Sequence, residues 1–224
     1  MPRTSRASQG NYVYHVINRG NSQMQVFRKE DDYRAFVQLM ADANQRLAMR
    51  VTGYCLMPNH FHLLLWPYNA GDLSRWMQWL LTSHVRRYHR HYQGSGHVWQ
   101  GRFKAFPIEQ DQHYLAVLRY VERNPLRANL VPRAEDWQWS SLPDAPEMRP
   151  DGLLDPGPVA KGRQWIRHVN GAETEAELQS LRQCVNRGTP FGSNEWSLAT
   201  ASTLGLESSL RPRGRPRKSR MSPF

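Results

Sequence analysis

Apolar and polar positions alternate along NYVYHVINRGN, a run rich in Tyr, Val and Ile that stops at Gly20. This period of two predicts a strand over roughly 11–18. The next stretch, EDDYRAFVQLMADANQRLAM, spaces Tyr33, Phe36, Val37, Leu39, Met40, Ala43 and Leu47 as a helix would, with acids in its first turn. RVTGYCLM, a PN turn and HFHLLLW predict a hairpin. A second helix is expected over about 71–92, a fourth strand at RFKAFPIE, and a third helix from Asp111 to about Asn124. The order β-α-β-β-α-β followed by α is that of an α+β, ferredoxin-like (split βαβ) fold, an antiparallel sheet with helices on one face.

Beyond this body the pattern breaks. Residues 143–158 contain five prolines and two glycines, the mark of a linker or irregular excursion. TEAELQSLRQCVNRG then opens with a capping box from Thr174 to Glu177 and ends at Gly188. A short helix near 194–204 follows GTPFGS, a connection long for a helix-turn-helix. The expected organisation is a catalytic domain over 1–142, a Pro-rich linker over 143–164, a helical region over 165–210 and a basic tail over 211–224.

The chain has 224 residues with a formal net charge of +11. Such a surface attracts polyanions, nucleic acid foremost. The tail RPRGRPRKSR carries six of the cations; without them the body is still at +5. No run approaches the ~18 apolar residues a membrane span needs, and the N-terminus lacks the apolar stretch of a secretory signal. A cytoplasmic, nucleoid-associated protein is expected, with Cys55 and Cys184 reduced and packed.

The chemistry concentrates at CLMPNHFHLLLWP. In a strand His60 and His62 project from one face and Phe61 from the other, so two imidazoles on one rigid element can share a divalent ion. The competing reading is a pair of half-buried histidines on a polar face. No HExxH or CxxC accompanies them, which argues against a zinc protease or a structural zinc site. In the third helix, Val117, Leu118 and Val121 form an apolar stripe centred on Tyr114. Tyr120 lies on its shoulder, with Asn124 one turn later on the same side. Tyr120 and Asn124 are either boundary residues or a polar pair facing a site. A tyrosine of ordinary pKa needs help to act as a nucleophile, and a cation that polarises a phosphodiester provides it. A tyrosyl phosphate keeps the energy of the broken bond, consistent with a chain that shows no P-loop.

RRYHRHYQGSGHVWQGRFKA interleaves cations and rings: Arg86, Arg87, Tyr88, Arg90, Tyr92, Trp99, Arg102, Phe103 and Lys104. Cations along a backbone and rings on bases are how single strands are held; the alternative is a solvated helix face with Tyr88 and Trp99 in the core. Arg123 and Arg127 flank the presumed site and are candidates for phosphate contacts. In the tail, RPRGRPRK, with Arg213, Arg215 and Arg217, resembles an AT-hook for the minor groove; a basic tail without groove preference fits equally well.

These motifs together resemble a known family. MPNHFHLLL is similar to the histidine–hydrophobic–histidine motif of single-tyrosine transposases, and YHVINRGN, HVWQGRFKA and RYVERNPLRANLV resemble the REP-associated tyrosine transposases. The likeness runs from about Asn11 to Trp139 and is weaker from about 143 onward. It implies a ferredoxin-like palm, with His60, His62 and Asn124 as ligands of Mg²⁺ or Mn²⁺. Tyr120 would be the nucleophile that forms a 5′-phosphotyrosine and frees a 3′-OH. The implied substrate is single-stranded DNA beside a hairpin such as a repetitive extragenic palindrome, handled by a monomer or homodimer. The competing functions are a hairpin-binding regulatory protein that has lost the chemistry, and a hydrolytic metal phosphoesterase without a covalent step.

Overall fold

A computed structural model describes residues 8–143 and 149–211. Four strands form one antiparallel sheet: β1 (Val13–Arg19), β2 (Met49–Met57), β3 (His60–Pro67) and β4 (Lys104–Ile108), in the order β2-β3-β1-β4. Helices α1 (Glu30–Arg46) and α2 (Asp72–Tyr92) provide the two crossovers. This is the split-βαβ arrangement expected from the periodicity.

Those two helices share one face. Phe36 and Met40 of α1 and Trp76 and Leu80 of α2 join Tyr54, Leu56, Phe61, Leu63 and Leu65 of the hairpin in one core. The third helix, α3 (Gln112–Glu122), covers the other face: Val117, Leu118 and Val121 lie with Val13, Cys55, Leu64 and Phe106. The crossover helices thus keep to one face as expected, and α3 adds a layer behind. The near-continuous apolar runs of β2 and β3 require cover on both sides. α3 approaches closely where Gly53 has no side chain; a Cβ there would stand 2.5 Å from Leu118 Cδ1. The Asp111 carboxylate caps α3 by accepting from His113 N–H at 2.8 Å. Beyond Arg123 the chain starts the short α4 (Asn124–Arg127), with Pro125 in its first turn.

The C-terminal third closes both sheet edges. Leu154 bridges Val51 in parallel on the β2 side, and Phe191 bridges Ile108 beside β4, so neither edge is left as a bare ladder there. The proline-rich stretch therefore lies against the body, with Leu153 buried in the core. Helices α5 (Trp165–Asn170), α6 (Glu175–Arg187), α7 (Asn194–Leu204) and α8 (Glu207–Leu210) follow. α6 has the expected Thr174/Glu177 capping box and ends on Gly188 at φ 72°. Leu178, Leu181 and Cys184 join the α3-side core. Both cysteines are free and buried. No helix among the described residues is long and apolar enough to cross a membrane.

His84 of α2 sits among Phe27, Phe36 and Trp99, where burial lowers its pKa to about 3, Arg87 adding to the effect and Asp32 opposing it. The unfolded chain takes up this proton near pH ~6.5, the folded chain only near 3. Stability is therefore full above about pH 6.5 and is lost as the pH falls from there toward 3. His84→Met should flatten that loss by up to about 1.36 kcal/mol per pH unit. Urea midpoints at pH 7, 6 and 5 measure it, and equal slopes in both proteins would refute it.

Candidate active site

The two-residue turn at Pro58-Asn59 starts β3 at His60, which faces Arg19 of β1 across the ladder. His60 is partly buried and His62 almost fully so. Both face the α3 side, as their spacing predicts, while Phe61 enters the opposite core. Each imidazole is anchored through Nδ1. His60 Nδ1 lies 2.6 Å from Asn59 Oδ1, and the Asn59 amide is itself oriented by donating to Gln23 O. His62 Nδ1 lies 2.7 Å from Nε2 of His15, a fully buried residue on β1. Among the described residues neither His60 Nε2 nor His62 Nε2 has a hydrogen-bond partner.

Burial keeps the three rings neutral. It lowers the pKa of His60 to about 4, with Arg19 and Arg127 adding to the effect, and that of His15 to about 3. His62 is driven well below the ordinary value, first by burial, then by the adjoining His15 and His60 rings, with Arg127 and Arg19 adding to the effect. Neutral imidazoles, each held through Nδ1 with Nε2 open, are the donor set a divalent ion needs.

The nucleophile candidate comes from α3. The Tyr120 ring stands nearly perpendicular to His62 and His15, with centroids at 5.8 and 6.2 Å, all in one chain. The Arg127 guanidinium lies 4.2 Å from the Tyr120 ring centroid. Asn124 is buried one turn on; its Nδ2 donates to Tyr120 O at 3.5 Å, which leaves Oδ1 as its ligand-type atom. Tyr114, by contrast, is wholly buried, its hydroxyl donating to Thr52 O at 3.4 Å and its pKa pushed up to about 12 by burial.

The candidate DNA-contacting residues separate into groups. Lys104 pairs with Ile17, which pairs with His62, so these three form one row across the sheet. Lys104, Arg102 and Arg19 line a cleft of about 380 Å³ with Asn18 and Asn186. Arg86 and Arg102 border a second cleft of about 910 Å³ between α2 and the 96–103 loop. Arg87 is held by Asp31 O and Asp32. Arg123 and Arg127 are bonded within the chain: Arg123 donates to Val169 O and Asn170 O, and both pair with Glu173. As phosphate ligands they would have to share or release these partners. Tyr88, Trp99 and Phe103 are core residues and offer no face to a base. Arg213, Arg215 and Arg217 lie outside the described residues.

Three participants were not singled out from the sequence: His15, Arg19 and Glu173. His15 shares its parity with Val13 and Ile17 on the alternating first strand, which places it on the α3 face. The importance of Arg19 and Glu173 depends on register and on long-range packing. A separate group of ligand-type side chains, Glu109, Asp111 and His113, has its donor atoms within 4.8 Å of one another at the start of α3. It is distinct from the histidine pair: Asp111 caps the helix, and Glu109 accepts from Ser193 N at 2.6 Å.

A family model described as "Transposase IS200 like" matches residues 8–124. The chain belongs to the IS200-like transposase family. The match ends at Asn124 and takes in both histidines and Tyr120 of this IS200-like chain. No curated protein matches it. Among solved structures, it resembles a REP-associated tyrosine transposase bound to a REP hairpin, with 18% identity and a TM-score of 0.52, covering 78% of this chain and 92% of that one. A putative transposase from Deinococcus radiodurans is 17% identical, with a TM-score of 0.39, covering 54% and 95% respectively. The first of these supports the fold.

Proposed function

We propose that this protein cleaves and rejoins single-stranded DNA beside a hairpin through a covalent 5′-phosphotyrosine on Tyr120. One observation carries the reading: Tyr120 stands edge-on to His62, one of the two candidate ligands, and to its buried neighbour His15, all in the same chain. The family membership supports the DNA chemistry, and the likeness to a hairpin-bound relative supports the class of substrate. With tyrosine and histidines together in one chain, a monomer holds all the named residues.

In the cleavage step Tyr120 Oη attacks the scissile phosphorus. The Oη–P bond forms as the P–O3′ bond breaks; the phenol gives up its proton and the departing 3′ oxygen takes one up. The reverse attack by a 3′-OH rejoins the strand. His60 and His62, with Asn124 Oδ1 as third donor, would hold Mg²⁺ or Mn²⁺, whose charge polarises the phosphodiester. Arg19, Arg102 and Lys104 line the cleft beside the histidines and would take neighbouring phosphates.

The test is a hairpin-flanked single strand incubated with Mg²⁺ and run on a denaturing gel. A 3′-labelled strand should become protein-bound, while a 5′-labelled strand should yield a shorter free fragment. EDTA should abolish both products. His62→Ala should lose cleavage and keep most DNA affinity, because arginines and lysines supply the binding. Undiminished cleavage in EDTA would remove the metal from the mechanism. Tight binding without an adduct would reduce the protein to a hairpin-binding module.

A further inference from the structure

The structure assigns a positioning role to His15: it accepts the hydrogen bond of His62 Nδ1–H and so keeps the His62 Nε2 lone pair bare for the metal. This rests on the metal-site reading above. The geometry is that of a directed bond. The nitrogens are 2.7 Å apart and the ring planes differ by only 5°. The centroid separation of 5.0 Å is what a bond of that length plus two ring radii gives, so the imidazoles meet edge to edge in one plane, along the lone-pair direction.

The fold fixes this geometry. Ile17 is the direct partner of His62, and His15 is its diagonal neighbour on the same face. Phe106 stands edge-on to His15 at 5.0 Å, and Tyr120 is edge-on at 6.2 Å. The His15 ring is fully buried between them.

The chemistry gives the bond its consequence. Two neutral imidazoles share one proton across such a contact. If His15 donates it, His62 must carry its own proton on Nε2 and cannot ligate. If His62 donates it, Nε2 is bare. His60 faces no such choice, because the Asn59 carbonyl oxygen only accepts. For His15 the choice is open: its Nδ1 is buried with no partner among the described residues. No carbonyl or carboxylate dictates its tautomer, so it can hold its proton on Nδ1 and present Nε2 as acceptor. Metal-binding histidines commonly use a carboxylate or carbonyl for this purpose; a neutral imidazole does it without placing a negative charge behind a site meant for phosphate.

Mn²⁺ binding to the full-length protein, followed by electron paramagnetic resonance, tests the assignment alongside ¹⁵N imidazole spectra of the Mg²⁺-loaded protein. His15→Phe, which keeps a ring and removes the acceptor, should weaken Mn²⁺ binding about 10–100-fold. His15→Gln, whose amide oxygen can accept at the same place, should recover most of it. Hairpin binding should be unchanged in both. The spectra should show the His62 proton on Nδ1 in the wild type and in His15→Gln. Wild-type Mn²⁺ affinity in His15→Phe, with loss in His62→Ala, would overturn the role of His15 and leave the metal site standing. Equal affinity in wild type and His62→Ala would bring down the metal reading and this inference with it. Should His15→Phe fail to fold, the wild-type spectrum decides: a proton found on His62 Nε2 refutes the assignment.

Discussion

Tyr120→Phe will bind hairpin DNA with wild-type affinity and form no covalent adduct. The substitution removes one oxygen and keeps the ring that meets His62 and lies under Arg127. Among the described residues the Tyr120 hydroxyl has no hydrogen-bond partner, so the fold loses little. Tyr114→Phe is the control. It gives up the bond to Thr52 O, at about 1 kcal/mol or less, and should keep the adduct. With a 3′-labelled hairpin strand and Mg²⁺, a protein-bound label that persists in Tyr120→Phe and vanishes in Tyr114→Phe would reverse the assignment.

The largest loss of stability is expected at Glu122, two residues after Tyr120. Its carboxylate is wholly buried. It accepts from Ser141 Oγ at 2.8 Å, Lys161 Nζ at 3.0 Å and Trp165 Nε1 at 2.7 Å, joining α3 to the chain on either side of the proline-rich stretch. Glu122→Ala strands three donors at once. Removing one partner of a buried charge pair costs about 3–5 kcal/mol; Lys161, being partly exposed, can turn to water, which places the cost near the lower end. Glu122→Gln retains the shape and an acceptor oxygen and should lose less. Urea unfolding at neutral pH measures both, and an alanine variant within about 0.5 kcal/mol of wild type, the range of an ordinary surface change, would deny this residue its role.

The sheet and its two crossovers were legible because each element carries its own period. β1 alternates, α1 repeats with helical spacing, and the Pro58-Asn59 turn divides two apolar runs. The parity of His60 and His62 and the helical offset of Tyr120 from Tyr114 are local facts, and the structure reproduces both. His15 was not legible: its partner is 47 positions away, and only the β1–β3 register brings them together. Arg123 and Arg127 looked free because their carbonyl and carboxylate partners, residues 169–173, belong to a stretch whose docking no periodicity announces. The rings of Tyr88, Trp99 and Phe103 were ambiguous in isolation. Tyr88 was less so than it looked, since Trp76, Leu80, His84 and Tyr88 repeat every four residues along the buried side of α2.

The apolar layer behind the histidines has two sources. Val117, Leu118 and Val121 lie within the stretch that matches the family; Trp165, Val169, Leu178 and Leu181 lie beyond it, and all seven share one cluster. The part of the chain recognisable by kinship is therefore smaller than the part that must be present for the histidine-bearing face to have a back. Cut after Asn124, the protein would keep every proposed ligand and the proposed nucleophile. It would also bare the reverse of the helix that carries Tyr120 and strip Glu122 and Arg123 of their partners. For anyone grafting C-terminal arms between relatives, the seam runs through the middle of a hydrophobic layer, and both sides of it must be exchanged together.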